Sequence, residues 1–345
     1  MIRTVAFPSG EPLGKVFARD PSRILPARGG SICNWDLWEK LGVARGRLEV
    51  PPRCEIGLAI GRETRDVSGL GALYPADLQA LSFTEAPNCE GAPETIAAMT
   101  GLRELDLTTM PIGDGGLAQL RGLTQLRRLN LSKTAITDRS AGSLASMQLL
   151  SALDLWGTGF GDLGLARLRG LKHLSTLNLW GTQVTDVGLA SLRWMVKLRR
   201  LRLPSESITD AGIRHLEGLR SLRMLDASGA HIGDVGLGHL RGLRMLRSLD
   251  LWGTEVGDGG LVHLKHLPNL SELDLGETRI GDGALDHLSE MSSLRRLQLG
   301  ESNLSEAALE RLRRALPNCL ITGGQGPDDK TSVSDYQDPP TAHAL

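Results

Sequence analysis

Leucine recurs along this chain at a fixed period. Leu102, Leu126, Leu150, Leu174, Leu198, Leu222, Leu246, Leu270 and Leu294 stand 24 residues apart with no insertion, and one further step back reaches Leu78. A single unit, Leu174–Lys197, reads LSTLNLWGTQVTDVGLASLRWMVK. Two periodicities alternate within it. The opening LxxLxL predicts a short strand, with Leu177 and Leu179 inward and Thr176, Asn178 and Trp180 outward. The following GLxxLxxM places Leu189, Leu192 and Met195 on one stripe of a short helix. Ten such units run from Leu78 to about Pro317. One unit has too few apolar side chains to offset the entropy of ordering its backbone, so the units must stack and share a core.

The shared pattern is L-x-x-L-x-L-x-x-T-x-I/V-x-D-x-G-L-x-x-L-x-x-L/M. It resembles the leucine-rich-repeat family over residues 78–321. The TDxGL segment, as in Thr185–Leu189 and its variant Thr209–Ile213, resembles the subclass shared by bacterial and F-box leucine-rich-repeat proteins. The resemblance implies an α/β solenoid, or horseshoe, with a parallel concave β-sheet and convex helices. It departs from the family at one position. The asparagine or cysteine usual after LxLxx is threonine at 134, 158, 182, 254 and 278, whose hydroxyl is left to serve buried backbone groups. Eight of the units carry an Asp (Asp114, Asp138, Asp162, Asp186, Asp210, Asp234, Asp258, Asp282) where the helix begins, which suits a cap or a negative charge on the positive end of that helix. The glycine two residues later, for example Gly188 or Gly212, lets the neighbouring coil approach closely.

The ends differ. Residues 1–77 carry short β-like runs at Arg3–Phe7, Gly14–Ala18, Gly46–Val50 and Glu55–Ile60 around a tryptophan-bearing stretch, Trp35–Leu41, and read as a small β-rich N-terminal cap. Glu306–Ala315 reads as a terminal helix with a polar outer face, and Leu316–Ile321 as a last partial strand. Residues 322–345 lack a core pattern and read as a disordered tail.

Composition narrows the function. Thirty-nine Lys and Arg against 40 Asp and Glu leave a net charge of −1, which argues against a general nucleic-acid or acidic-membrane binder. Four scattered cysteines form no CxxC pair, and Cys89 and Cys319 read as parts of the terminal caps. No secretory leader or membrane-length apolar run is apparent, so the expected location is cytoplasmic. No catalytic motif and no metal-ligand spacing stands out, so neither enzyme activity nor a cofactor is expected. His215, His239, His263 and His287 recur at one helix position and read as solvated surface.

Candidate contacts lie on the concave face. Trp156, Trp180 and Trp252 occupy the position after LxL, where leucine packing does not need them. Trp156 and Trp180 fall on adjacent strands, with Trp252 three units further on. Arg199, Arg200 and Arg202 stand between them, flanked by Asp154, Asn178, Asp226 and Asp250. Tryptophan and arginine dominate binding hot spots, and the expected function is a non-enzymatic scaffold gripping a protein partner there. The alternative is local packing of each indole over the next glycine. A second functional reading, the substrate-recognition subunit of a ubiquitin-ligase-like complex, follows from the F-box resemblance and requires a helical adaptor upstream of the repeats.

Overall fold

The computed structural model describes residues 3–9, 11–21, 38–84, 86, 89, 92–300 and 302–323. The expected disordered tail, apart from residues 322 and 323, lies outside these, as do Cys33 and the first three residues of the Trp35–Leu41 stretch. The strands are β1 (Arg3–Ala6), β2 (Gly14–Arg19), β3 (Glu39–Val43), β4 (Arg47–Val50) and β5 (Glu55–Ile60), then one strand per repeat. The repeat strands are β6 (Ala80–Ser82), β7 (Glu104–Asp106), β8 (Arg128–Asn130), β9 (Ala152–Asp154), β10 (Thr176–Asn178), β11 (Arg200–Arg202), β12 (Met224–Asp226), β13 (Ser248–Asp250), β14 (Glu272–Asp274), β15 (Arg296–Gln298) and β16 (Leu320–Thr322). From β5 to β16 neighbouring strands are parallel. The pairing advances by 24 residues per step within the repeats, Leu177 facing Leu201 and Leu201 facing Leu225. The molecule is the expected leucine-rich-repeat solenoid.

The inward leucines behave as their spacing requires. Leu177, Leu179, Leu189, Leu192 and Met195 are buried, and so are their counterparts in every repeat from Leu102 to Leu312. The convex elements are shorter than a regular helix. Asp162–Arg167 is α-helical and Leu168–Gly170 closes as a 3-10 turn, a combination that recurs along the stack. Between one strand and the next there is room for little more than two turns.

The serial aspartates act one repeat ahead of expectation. Asp186 opens its own helix, but the N-cap of that helix is Thr185, whose hydroxyl accepts from the Val187 N–H. The Asp186 carboxylate instead accepts from the Thr209 N–H at 2.9 Å and from the Thr209 hydroxyl at 2.6 Å, both in the following repeat. Asp114, Asp138, Asp162, Asp210, Asp234, Asp258 and Asp282 each accept the equivalent backbone N–H, 23 residues on. The paired glycine gives the carboxylate its room. A Cβ on Gly212 would lie 2.1 Å from Asp186 Oδ1, and one on Gly188 would lie 2.2 Å from Asp162 Oδ1. Where Ser140 replaces the glycine, its hydroxyl donates to Asp114. At Asp114, hydrogen bonds from Ser140 and Thr137 outweigh the desolvation that opposes them and hold the carboxyl below its ordinary range.

The terminal segments extend the sheet at its first end and cap the stack at its last. β5 joins β6 in parallel and is covered antiparallel by β2, which pairs with β3. Strands β1, β2, β4 and β5 fall where the β-like runs lie, and β3 is the strand the pattern did not reveal. Arg19 bridges Glu55 and Glu104, while Arg103 and Arg128 reach the same two carboxylates. Desolvation would raise the Glu55 carboxyl, but Arg19 and Arg103 hold it below its ordinary value. Arg19 also lies over the Trp38 ring at 4.3 Å. At the other end, Leu309 and Leu312 of Glu306–Ala315 bury against the last repeat, while Arg313 and Arg314 pair outward with Glu306 and Glu310.

The clamp predicts a specific non-additivity. Gly212→Ala forces its methyl against Asp186 and should cost about 1–3 kcal/mol, and Asp186→Ala removes two hydrogen bonds at a similar cost. The double variant should be more stable than the sum of the two losses by about 1 kcal/mol or more, because the second change removes the clash of the first. Urea unfolding of the four proteins measures this, and strict additivity would refute it.

Candidate functional site

The concave face is built from three outward columns, and seven repeats, those with Asp or Asn in mid-LxL, end their strands in the same way. The Asp or Asn in mid-LxL turns its Oδ1 back to accept the N–H two residues on. Asp154 accepts from Trp156, Asn178 from Trp180 and Asp250 from Trp252, each at 3.0 Å. The next residue takes a left-handed conformation, with φ of +65° at Gly157 and +63° at Gly181, a region open to glycine without strain. Threonine then closes the turn by donating to the carbonyl three residues back, Thr158 to Leu155 at 2.7 Å and Thr182 to Leu179 at 2.6 Å. The W-G-T of the sequence is therefore a turn, and its tryptophan is the residue the turn leaves facing the hollow of the sheet.

Parallel register brings part of the predicted site together. Trp156 and Trp180 have ring centroids 5.5 Å apart, tilted by 32°. Lys133 Nζ caps Trp156 at 4.0 Å, and the Arg202 guanidinium caps Trp180 at 4.3 Å. Arg202 Nε is 2.7 Å from Asp226 Oδ2. Lysine, two indoles, arginine and carboxylate thus form one row across β8 to β12, with a cation over each outer indole. Lys133 was not legible as a member. It follows Ser132 on a left-handed turn (φ +56°), where the neighbouring units carry Thr109 or Gly157, and nothing in the sequence marks which way such a side chain leans.

The remaining predicted residues separate. Trp252 stands apart and is 45% exposed. Its indole lies over the next strand, where a Cβ on Gly276 would meet Trp252 Cδ1 at 2.7 Å. Arg199 and Arg200 stand at the start of β11, the opposite end of the strand from the indoles, so only Arg202 of the three arginines joins the aromatic row. Asp154 and Asp226, 4% and 5% exposed, are largely covered by their neighbours. Asn178 and Asp250 are half-buried.

The mid-strand column turns acidic toward its end. Asp226 faces Asp250, and Asp250 faces Asp274, on successive strands. Burial, reinforced by the Asp226 charge, pushes the Asp250 carboxyl up to about 7, and burial raises Asp274 as well. Among the described residues no cluster of three or more His, Cys, Asp and Glu is arranged to hold a metal ion, and no helix is long and apolar enough to cross a membrane. On the convex side His239 sits 2.5 Å from Glu217, and burial with the neighbouring Arg214 and Arg193 holds the His215 ring below its ordinary value.

No protein-family model matches the chain, and no curated protein matches it in sequence. Its fold is similar to that of an internalin from Listeria monocytogenes, with 19% identity over 78% of this chain and 87% of that one and a TM-score of 0.57. Internalin C2 of the same species matches at 21% identity over 72% of this chain and 80% of its own, TM-score 0.40. A TDR receptor matches at 17% identity over 66% of this chain and 40% of its own, TM-score 0.49. Internalins are leucine-rich-repeat proteins, and the first likeness agrees with the parallel sheet described above.

Asp250 supplies a pH-dependent prediction. Its folded-state carboxyl titrates near 7, above the unfolded value, so the folded chain keeps a proton that the unfolded chain releases. Stability should therefore fall as pH rises from about 4 to about 7 and level off above. Asp250→Asn keeps the turn, as Asn178 does, and removes the charge. It should leave stability unchanged near pH 4 and raise it at pH 8 by up to about 4 kcal/mol. Denaturant unfolding at the two pH values reads the difference, and an equal gain at both would exclude this origin.

Proposed function

We propose that the protein is a non-enzymatic interaction scaffold that binds a protein partner on its concave face, with Trp156, Trp180 and Arg202 as the anchors and Trp252 as a second contact. One observation carries the reading. The indole row lies on the open side of the sheet, while the core beneath it is already closed by leucine. Two stacked rings held between cations are pre-ordered, so a partner gains their area at little cost in side-chain entropy. Arg202 is held by Asp226, with its guanidinium over the Trp180 ring. In this reading Asp154, Asn178 and Asp250 act mainly by shaping the turns that present the tryptophans, and Trp252 meets the partner alone.

The fold it shares with an internalin is compatible with such a role but carries no partner across to this chain. The ligase-subunit alternative lacks its structural requirement among the described residues, where no α-helix precedes Ala92.

Affinity capture from a lysate of the source organism, with wild type and the triple variant Trp156→Ala/Trp180→Ala/Arg202→Ala as paired baits, tests the proposal. A protein retained by wild type should be lost from the variant, whose circular dichroism and unfolding midpoint should stay close to wild type. Equal retention by a folded variant would reject the concave face as the contact surface.

A further inference from the structure

The chain is neutral overall, but its charge is sorted by position in the repeat. The four helix-to-strand passages, residues 166–176, 190–200, 214–224 and 238–248, hold thirteen Lys and Arg and one acid, Glu217. The intervening strand-to-helix passages, residues 177–189, 201–213, 225–237 and 249–261, hold eight Asp and Glu and one arginine, Arg202. Stacking in register turns this alternation into two opposed edges, one basic and one acidic, on either side of the sheet.

The basic edge has a centre. Arg199, Arg223 and Arg247 precede successive strands and form a row at intervals of about 4.8 Å. Lys197, Arg220 and Arg244 stand just behind them. All but the half-buried Arg223 are exposed. None of the six forms an ion pair with a carboxylate among the described residues.

The fold does not require these cations. At the position of Arg199, Arg223 and Arg247 three other repeats use serine, and Ser151, Ser175 and Ser271 each donate to the carbonyl 24 residues earlier. At the first end of the stack Arg103, Glu104 and Arg128 are consumed, together with Arg19 and Glu55, in ion pairs, whereas the exposed Arg127 at the same register position is in none of them. Like charges in a row without counter-charge are unfavourable in the free protein and favour an anionic ligand.

Apolar side chains are interleaved with the cations. Trp194 and Val196 are 59% and 56% exposed, and Met245 is exposed beside Arg244 and Arg247. Inward from the basic row, about 10 Å along each strand, lies the carboxylate column of Asp226 and Asp250. A broad polyanion such as a nucleic-acid duplex would set phosphates against those carboxylates and leave the tryptophan and methionine unused. A narrow polypeptide bearing acidic and apolar residues matches both features.

We propose that this edge is a second interaction surface, separate from the concave indole row, and that it binds an acidic, partly apolar segment of a protein. The six cations meet its carboxylates, and Trp194, Val196 and Met245 meet its apolar side chains. It stands independently of the concave reading.

The probe is a fluorescein-labelled peptide alternating glutamate with leucine, titrated into the full-length chain by anisotropy. Binding should weaken as salt is raised. The variant Arg199→Glu/Arg223→Glu/Arg247→Glu should lose roughly tenfold or more in affinity, and the milder Arg→Gln triple should lose less. Reversal of three exposed arginines outside the edge, Arg53→Glu/Arg62→Glu/Arg65→Glu, should change affinity less than threefold or so. Trp156→Ala/Trp180→Ala/Arg202→Ala should leave peptide binding intact, which separates this surface from the concave one. Equal loss in the two charge-reversal triples would reduce the effect to net charge and overturn the proposal. Tighter binding of an oligonucleotide duplex of the same net charge would overturn it in favour of a nucleic-acid surface.

Discussion

Each repeat is fastened to the next by one carboxylate. The aspartate that opens a convex helix reaches forward and takes the backbone N–H of the residue that caps the following helix, together with the hydroxyl of that residue where the sequence supplies one. Leucine burial supplies most of the driving force for stacking, but it is non-directional and would tolerate a slipped neighbour. A charge-assisted hydrogen bond to one backbone N–H does not. The clamp also accounts for the glycine that most repeats place two residues after the aspartate, Ser140 and Ala284 being the exceptions, because a side chain there crowds the carboxylate from the repeat before.

Fixed register has a consequence on the opposite side of each coil. Because every unit has the same length and is held at the same phase, a residue type that recurs in the sequence becomes a column on the surface. Two tryptophans 24 residues apart become a stacked pair, lysine and arginine become their end-caps, and arginines at strand starts become a row. Functional surfaces on such a solenoid are therefore assembled from side chains that the core does not use, and they can change with little effect on the leucines beneath.

The same geometry concentrates electrostatic cost. Parallel strands set Asp226, Asp250 and Asp274 each one spacing from the next, and mutual repulsion adds to the cost of burial. Asparagine performs the same turn-capping task at Asn130 and Asn178. The extra charge at the later repeats is thus not demanded by the turn. It lies beside Trp252, the most exposed of the three concave indoles.

The period, the inward leucines, the strand positions and most of the cap strands were legible in the sequence, because burial requires apolar side chains at fixed intervals and nothing else satisfies it. The tryptophans were legible as exceptions to that requirement. Three things were not. The aspartates looked like caps of their own helices, since a one-dimensional pattern cannot tell a bond within a unit from the same bond to the unit ahead. Asp154 and Asp226 looked like open contact residues, but the neighbouring strands and Arg202 cover them. Arg199, Arg200 and Arg202 looked like one patch, but extended chain sets Arg200 and Arg199 about 7 and 10 Å back from Arg202 along the strand, so only Arg202 reaches the indoles. Sequence alone determined which side chains are spare. Only the three-dimensional stack decided which spare side chains meet, because the distances that matter run across strands and are set by register.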